Sequence, residues 1–109
     1  MAETKLFNSL GLCRRAGKCQ SGEFAAERAI KAGKAKLVLL EAAASENTKA
    51  RFSSLCAGRN IPLKLVPEVG RAIGREGHVV MAVTDIQFAN MILGAWASET
   101  EVGGLTYGI

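Results

Sequence analysis

The sequence predicts an α/β layered sandwich, in which a four-stranded sheet lies between helices. Two observations lead there. Segments with apolar residues at helical spacing alternate along the chain with short apolar runs of strand length. The longest of these runs, Leu37-Val38-Leu39-Leu40 and Val79-Val80-Met81-Ala82-Val83, are too short to cross a membrane and suit buried strands. No repeat or linker divides the 109 residues, so the expected organisation is one domain over 1–97 followed by a mobile, Gly-rich tail over 98–109.

Each element has its own signal. Thr4 is placed to cap a helix over Lys5 to Ala16, with Leu6, Leu10 and Cys13 on one face. Arg14 and Arg15 complement its carbonyl end, and Gly17 suits the residue beyond it. A short strand at 18–20 is followed by the Ser21-Gly22 turn and a helix over Glu23 to Ala32, with Ala26, Ala29 and Ile30 inward and Gly33 as its stop. Glu27 and Lys31 form an i,i+4 pair on that helix. Lys36 to Leu40 reads as a central strand, and Ser45 caps a helix over Glu46 to Ala57. Ile61 to Val66 is the next strand, then Pro67-Glu68 opens a short helix that Gly74 ends. His78 to Val83 is the last strand, and Thr84-Asp85-Ile86-Gln87 has the form of a capping box for a final helix carrying Phe88, Ala89, Ile92, Leu93 and Trp96 inward. Whether the first strand runs antiparallel is open at this point.

Composition narrows the function. Cys13, Cys19 and Cys56 have no metal-ligand spacing, and with His78 as the single histidine they make a poor zinc set; core filling is the expected role. Gly11 to Cys19 resembles a phosphate loop only superficially, with five residues between the glycines and Gly17-Lys18-Cys19 at its end. No nucleophile–base pair is evident, so neither an enzyme nor a cofactor is expected. The start, Met1-Ala2-Glu3-Thr4, leads into a helix pattern without an apolar signal core, so the cytoplasm is the expected location and no membrane partner is expected.

Charge is unevenly placed. Residues 1–36 hold eight Lys or Arg against three Glu, whereas residues 37–109 hold six against seven acids. The stretch from Lys18 to Arg28 lies at the centre of that excess, flanked by Arg14, Arg15, Lys31, Lys34 and Lys36. A helix entered through Ser21-Gly22 aims unpaired N–H groups and its positive end outward, which suits a phosphate. The pattern favours a polyanion such as RNA; the alternative is a capped amphipathic helix with a solvated charged face.

Short motifs extend the reading. Leu12-Cys13-Arg14-Arg15-Ala16-Gly17-Lys18, Ser21-Gly22-Glu23 and Ala32-Gly33-Lys34-Ala35-Lys36-Leu37-Val38-Leu39-Leu40 come first. They are followed by Ser45-Glu46-Asn47-Thr48, Arg59-Asn60-Ile61-Pro62, Val69-Gly70-Arg71-Ala72-Ile73-Gly74 and Ala82-Val83-Thr84-Asp85. In that order and spacing the chain resembles the small bacterial branch of the L7Ae family of kink-turn-binding ribosomal proteins. The resemblance implies a three-layer α/β/α sandwich with a mixed four-stranded sheet. It also implies a non-enzymatic, ribosomal protein-like function: binding a kink-turn, an RNA duplex bent sharply at an internal loop flanked by tandem G·A pairs. Such distorted elements are accessible where the deep groove of regular A-form RNA is not.

The implied surface consists of the turn at 20–28, the loop at 41–47 and the loop at 74–80. Transferred by position, the family's glycine falls on Gly22 and its helix lysine on Arg28. The Asn-Glu pair that reads the G·A edges falls on Phe24 and Ala25, and the acidic residue after the second strand falls on Ala43. The loop that packs on an extruded base contains Arg75, Glu76, Gly77, His78 and Val79, more polar than is usual. Lys18, Ser21, Glu23, Lys31 and Lys34 complete the candidate RNA-binding set. Three readings of the departures stay open: Glu23 replaces the lost acceptor, Phe24 stacks on a base, or Phe24 is partly buried and base readout is lost. Loss of base readout, with Phe24, Ala25 and Ala43 making the surface less polar, would leave a protein-interaction module on the same scaffold, with ribosomal or other protein partners.

Overall fold

The computed structural model describes residues 4–107, and the side chains of residues 4–99. Four strands, β1 (Cys19–Ser21), β2 (Leu37–Glu41), β3 (Leu63–Val66) and β4 (Val80–Val83), form one sheet in the order β1-β4-β2-β3. β4 runs antiparallel to both β1 and β2, while β2 and β3 are parallel, so the sheet is mixed. β1, whose direction the sequence left open, is an antiparallel edge strand.

Alternation along the strands divides the core in two. Leu37 and Leu39 of β2 with Met81 and Val83 of β4 face one layer, α1 (Lys5–Arg15), α4 (Gly70–Ile73) and α5 (Ile86–Tyr107). Val38, Leu40, Val80 and Ala82 face the other, α2 (Glu23–Lys31) and α3 (Glu46–Ala57), where Phe52 is fully enclosed. The result is the expected three-layer α/β/α sandwich. β2 and β4 are buried on both faces because both are interior strands with helices above and below, which accounts for their uninterrupted apolar runs.

Caps follow side-chain chemistry, with one correction. Thr4 Oγ1 accepts from Phe7 N at 3.0 Å and Ser45 Oγ from Thr48 N at 3.2 Å, as expected. At α5, however, Asp85 is the cap: its Oδ2 accepts from Phe88 N at 2.9 Å, and its carbonyl accepts from Ala89 N. The capping box beginning at Thr84 therefore does not form. Thr84 is instead held in the sheet's margin, its N–H donating to Lys18 O at 2.9 Å. A carboxylate accepting from backbone N–H is the stronger cap, which explains the one-residue shift.

Other boundaries move for equally specific reasons. α4 begins at Gly70 rather than Pro67, because the Val69 and Gly70 N–H groups donate to Glu41 Oε1 at 2.8 and 3.3 Å. β3 begins at Leu63 rather than Ile61, whose N–H donates to Cys56 O behind α3. β4 begins at Val80, so His78 and Val79 belong to the preceding loop, where His78 N closes a turn on Arg75 O at 3.1 Å. Where a tail was expected from 98 onward, α5 continues to Tyr107. Ala97-Ser98-Glu99 contains no helix breaker, and Glu99 Oε2 accepts from Leu6 N at 3.0 Å, joining the helix to the start of α1.

Candidate nucleic-acid interface

Strand directions gather three loops at one end of the sheet. β1, β2 and β3 end there and β4 begins there, as the pairings Ser21↔Met81, Leu40↔Val80 and Glu41↔Val66 require. The turn into α2, the 42–45 loop into α3 and the 74–79 loop into β4 therefore share one edge. Backbone bonds fix them to the sheet: Gly22 N to Val80 O at 2.9 Å, Glu41 N to Val79 O at 2.8 Å and Ala42 N to Val66 O at 2.8 Å. α2 and α3 both begin here, so this edge receives two positive helix ends.

At its centre, Gly22 takes φ +89°, a conformation that L side chains rarely adopt, and opens α2 without a side-chain cap. The His78 ring lies where a side chain at Gly22 would go, with Cε1 3.3 Å from the position a Cβ would occupy. His78 Nδ1 is hydrogen-bonded to Ser21 Oγ at 2.8 Å, tying the β1 turn to the 74–79 loop. Beside this pair Phe24 stands 77% exposed, with the Arg28 guanidinium 5.2 Å from its ring centroid. Ser21 to Ala25 and Gly77 to Val79 enclose a shallow groove of about 410 Å³. Phe24's exposure removes the reading in which it is partly buried.

The 74–79 loop is held close by Gly70. A Cβ there would lie 2.6 Å from Arg75 O and 2.9 Å from His78 O, both backbone atoms. Arg75 N donates to Gly70 O at 2.8 Å, while Gly74 and Gly77 supply the φ of +70° and +87° that the loop needs. Glu41, through the same Gly70, connects the end of β2 to this loop. Neither Glu41 nor Gly70 is in the candidate binding set, although Gly70 lies in the Val69–Gly74 motif and Glu41 at the start of the 41–47 loop. Sequence alone gives no sign that the two are in contact.

The candidate set divides in space. Ser21, Gly22, Glu23, Phe24, Gly77, His78 and Val79 line the groove, with Arg28 stacked on Phe24; Ala43, Arg75 and Glu76 are exposed in the adjoining loops. Lys18 and Lys34 do not join them: Lys18 precedes the start of β1 and Lys34 follows the end of α2, both at the opposite pole of the sheet. The strand–helix alternation reverses the chain's direction between them, which the linear sequence conceals. Lys31 pairs with Glu27 at 2.8 Å, holding the Glu27 carboxyl below its ordinary range. Glu23 and Glu27 both meet Arg51 of α3, at 3.1 and 3.4 Å, so the carboxylate beside Phe24 is already engaged by a cation.

The sulfur chemistry lies elsewhere. Cys13 and Cys56 are core residues as expected, and burial pushes the Cys56 thiol up to about 11. Cys13 Sγ donates to Lys18 O at 3.4 Å. The neighbouring Cys19, then burial, raises the Cys13 thiol, while Cys13 and the charge of Arg14 lower half-buried Cys19 against the opposing effect of its burial. Among the described residues no group of His, Cys, Asp or Glu could hold a metal ion, and no helix is long and apolar enough to cross a membrane.

Comparison with known proteins adds to this geometry. Residues 4–98 match the Ribosomal protein L7Ae/L30e/S12e/Gadd45 family. The chain belongs to that family. It is 42% identical over 96 residues to the RNA-binding protein YlxQ of Bacillus subtilis (strain 168), an alignment covering 85% of this chain and 96% of that protein. A Bacillus halodurans protein of unknown function superposes with TM-score 0.81 at 33% identity, covering 85% of this chain and 97% of its own. The Giardia lamblia 15.5kD RNA binding protein superposes with TM-score 0.69 at 18% identity, over 87% of this chain and 88% of its own, and speaks to the fold.

Proposed function

We propose that this protein binds structured RNA without catalysing a reaction, and that it grips a kink-turn-like element at the loop edge, in a cytoplasmic and ribosomal or ribosome-assembly setting. The observation that carries the reading is Phe24, an almost fully presented aromatic ring backed by Arg28 beside the uncapped start of α2. An aromatic face stacks on an unpaired base, the N–H groups of the turn and Arg28 hold phosphate, and bent RNA presents both together. Membership of a ribosomal protein family and the 42% identity to an RNA-binding relative support the same partner.

Phe24, Ala25 and Ala43 cannot make the hydrogen bonds that read G·A edges, so selectivity here comes from stacking and shape. Arg28→Ala should weaken binding to every RNA alike. Phe24→Ala, losing about 1–3 kcal/mol of stacking, should chiefly erode the preference for a kinked over a regular duplex. Filter binding of both RNAs to both variants tests this, and equal losses on the two RNAs for Phe24→Ala would refute the assigned role. A second reading, a protein-docking module, draws on exposed Phe24 and on Glu23 and Glu27, whose two carboxylates are balanced by Arg51 and Lys31. Partners that survive nuclease treatment of a pull-down would favour it.

A further inference from the structure

We propose that the pole of the sheet opposite the loops is a second RNA surface, holding phosphates of a segment distinct from the one at the loop edge. The proposal rests on the preceding reading only in taking RNA as the polyanion. β1, β2 and β3 start at this pole and β4 ends there, while α1, α2 and α3 finish beside it. The bonds Thr84 N to Lys18 O at 2.9 Å, Lys36 N to Val83 O at 2.7 Å and Val38 N to Pro62 O at 2.9 Å hold its backbone together. Arg14, Lys18, Lys34, Lys36 and Arg59 converge here, and among the described residues none has a carboxylate partner within 4.0 Å. The pole's carboxylate, Asp85, is occupied in capping α5.

Cations near helix C-termini ordinarily answer the helix dipole, so the amounts matter. Three helix ends contribute about −0.5 charge each and the start of α5 about +0.5, in total about one negative charge. Five cations against Asp85 leave four positive charges, so about three remain after the dipoles are answered. Lys18 and Lys36 border strands two apart in the sheet, about 10 Å from each other, which places several cations along one face rather than on one small anion. Leu12 and Ile86, exposed on the α1 and α5 side, are too few for the apolar centre of a protein interface. A continuous route also leads here. Gln20, Ala25, Arg28, Ala29, Ala32 and Lys34 line a groove of about 400 Å³ beside α2, and Ala25 borders the loop-edge groove as well.

The test compares a minimal kink-turn RNA with the same RNA whose stem is extended by one helical turn, using wild type, Lys18→Gln/Lys34→Gln/Lys36→Gln and Arg28→Gln, each checked for an unchanged thermal midpoint. On the extended RNA, the triple variant should lose about 2.7 from the log–log salt slope, so a fourfold rise in salt weakens wild type about 40-fold more than the variant. On the minimal RNA the two should agree. Arg28→Gln should weaken both RNAs while keeping the slope difference between them. Equal slopes for wild type and the triple variant on the extended RNA would overturn the proposal, as would binding of an acidic protein at this pole that excludes RNA from it. Loss of kink preference in wild type with the extended-stem slope intact would instead fault the loop-edge reading and leave this one standing.

Discussion

Replacing Gly70 by alanine tests how the loop edge is held in shape. The added Cβ would lie 2.6 Å from Arg75 O and 2.9 Å from His78 O. Restoring ordinary contact at 3.4 Å requires the Arg75 carbonyl to move by about 0.8 Å and the His78 carbonyl by about 0.5 Å. Both belong to backbone fastened by the Arg75 N to Gly70 O and His78 N to Arg75 O bonds, so neither yields freely. Overpacking of this kind costs about 1–3 kcal/mol, partly offset by up to about 1 kcal/mol from alanine's smaller loss of backbone freedom. The expected net destabilisation is about 1–2 kcal/mol, read as a lower urea midpoint at unchanged slope. The displaced His78 should also lose its 2.8 Å bond to Ser21, weakening RNA binding by about 1 kcal/mol, or about fivefold. Unchanged stability together with unchanged affinity would refute the reasoning that Gly70 sets the loop's position.

Asp85→Ala should lower stability by about 1 kcal/mol while Thr84→Ala has a much smaller effect in the same urea titration; the reverse order would restore the capping box read from the sequence. A maleimide at pH 7.5 should label Cys19 first, since its thiol is held low and is only partly buried, whereas Cys13 and Cys56 should react only on unfolding; early labelling of Cys56 would contradict its enclosure. Glu27's carboxyl is lowered by the hydrogen bond from Lys31, so the pair's contribution is present above the ordinary carboxylate range and lost as pH falls through the lowered value. Lys31→Ala should move the Glu27 NMR titration back up, and no movement would assign the shift to another cause.

The layered fold was legible because its signals are local. The apolar runs at 37–40 and 79–83 marked interior strands, and Ser45 and Thr4 marked helix starts by chemistry that acts over three residues. Some boundaries shift where distant chain intervenes, others through nearer contacts such as the Asp85 cap of α5. The start of α4 is set by Glu41, 28 residues earlier, and the continuation of α5 past 97 accompanies the bond from Leu6 to Glu99. The candidate site was legible as a set of loops, yet its internal bonds were not: Ser21 and His78 were each noted, but their pairing spans 57 residues. Most instructive is the basic first third of the chain. In sequence Lys18 and Lys34 bracket the Gly22 turn; in space the strand direction carries them to the far pole, leaving Arg28 as the cation beside Phe24.

The central claim, that the loop edge recognises bent RNA, is tested most directly by fluorescence energy transfer between dyes on the two stems of a kink-turn RNA, at low salt with micromolar protein. The account predicts increased transfer on addition of wild-type protein, with the increase lost for the Phe24→Ala/Arg28→Ala double variant. Transfer indifferent to wild-type protein, in an RNA that magnesium alone still folds into its kink, would contradict it.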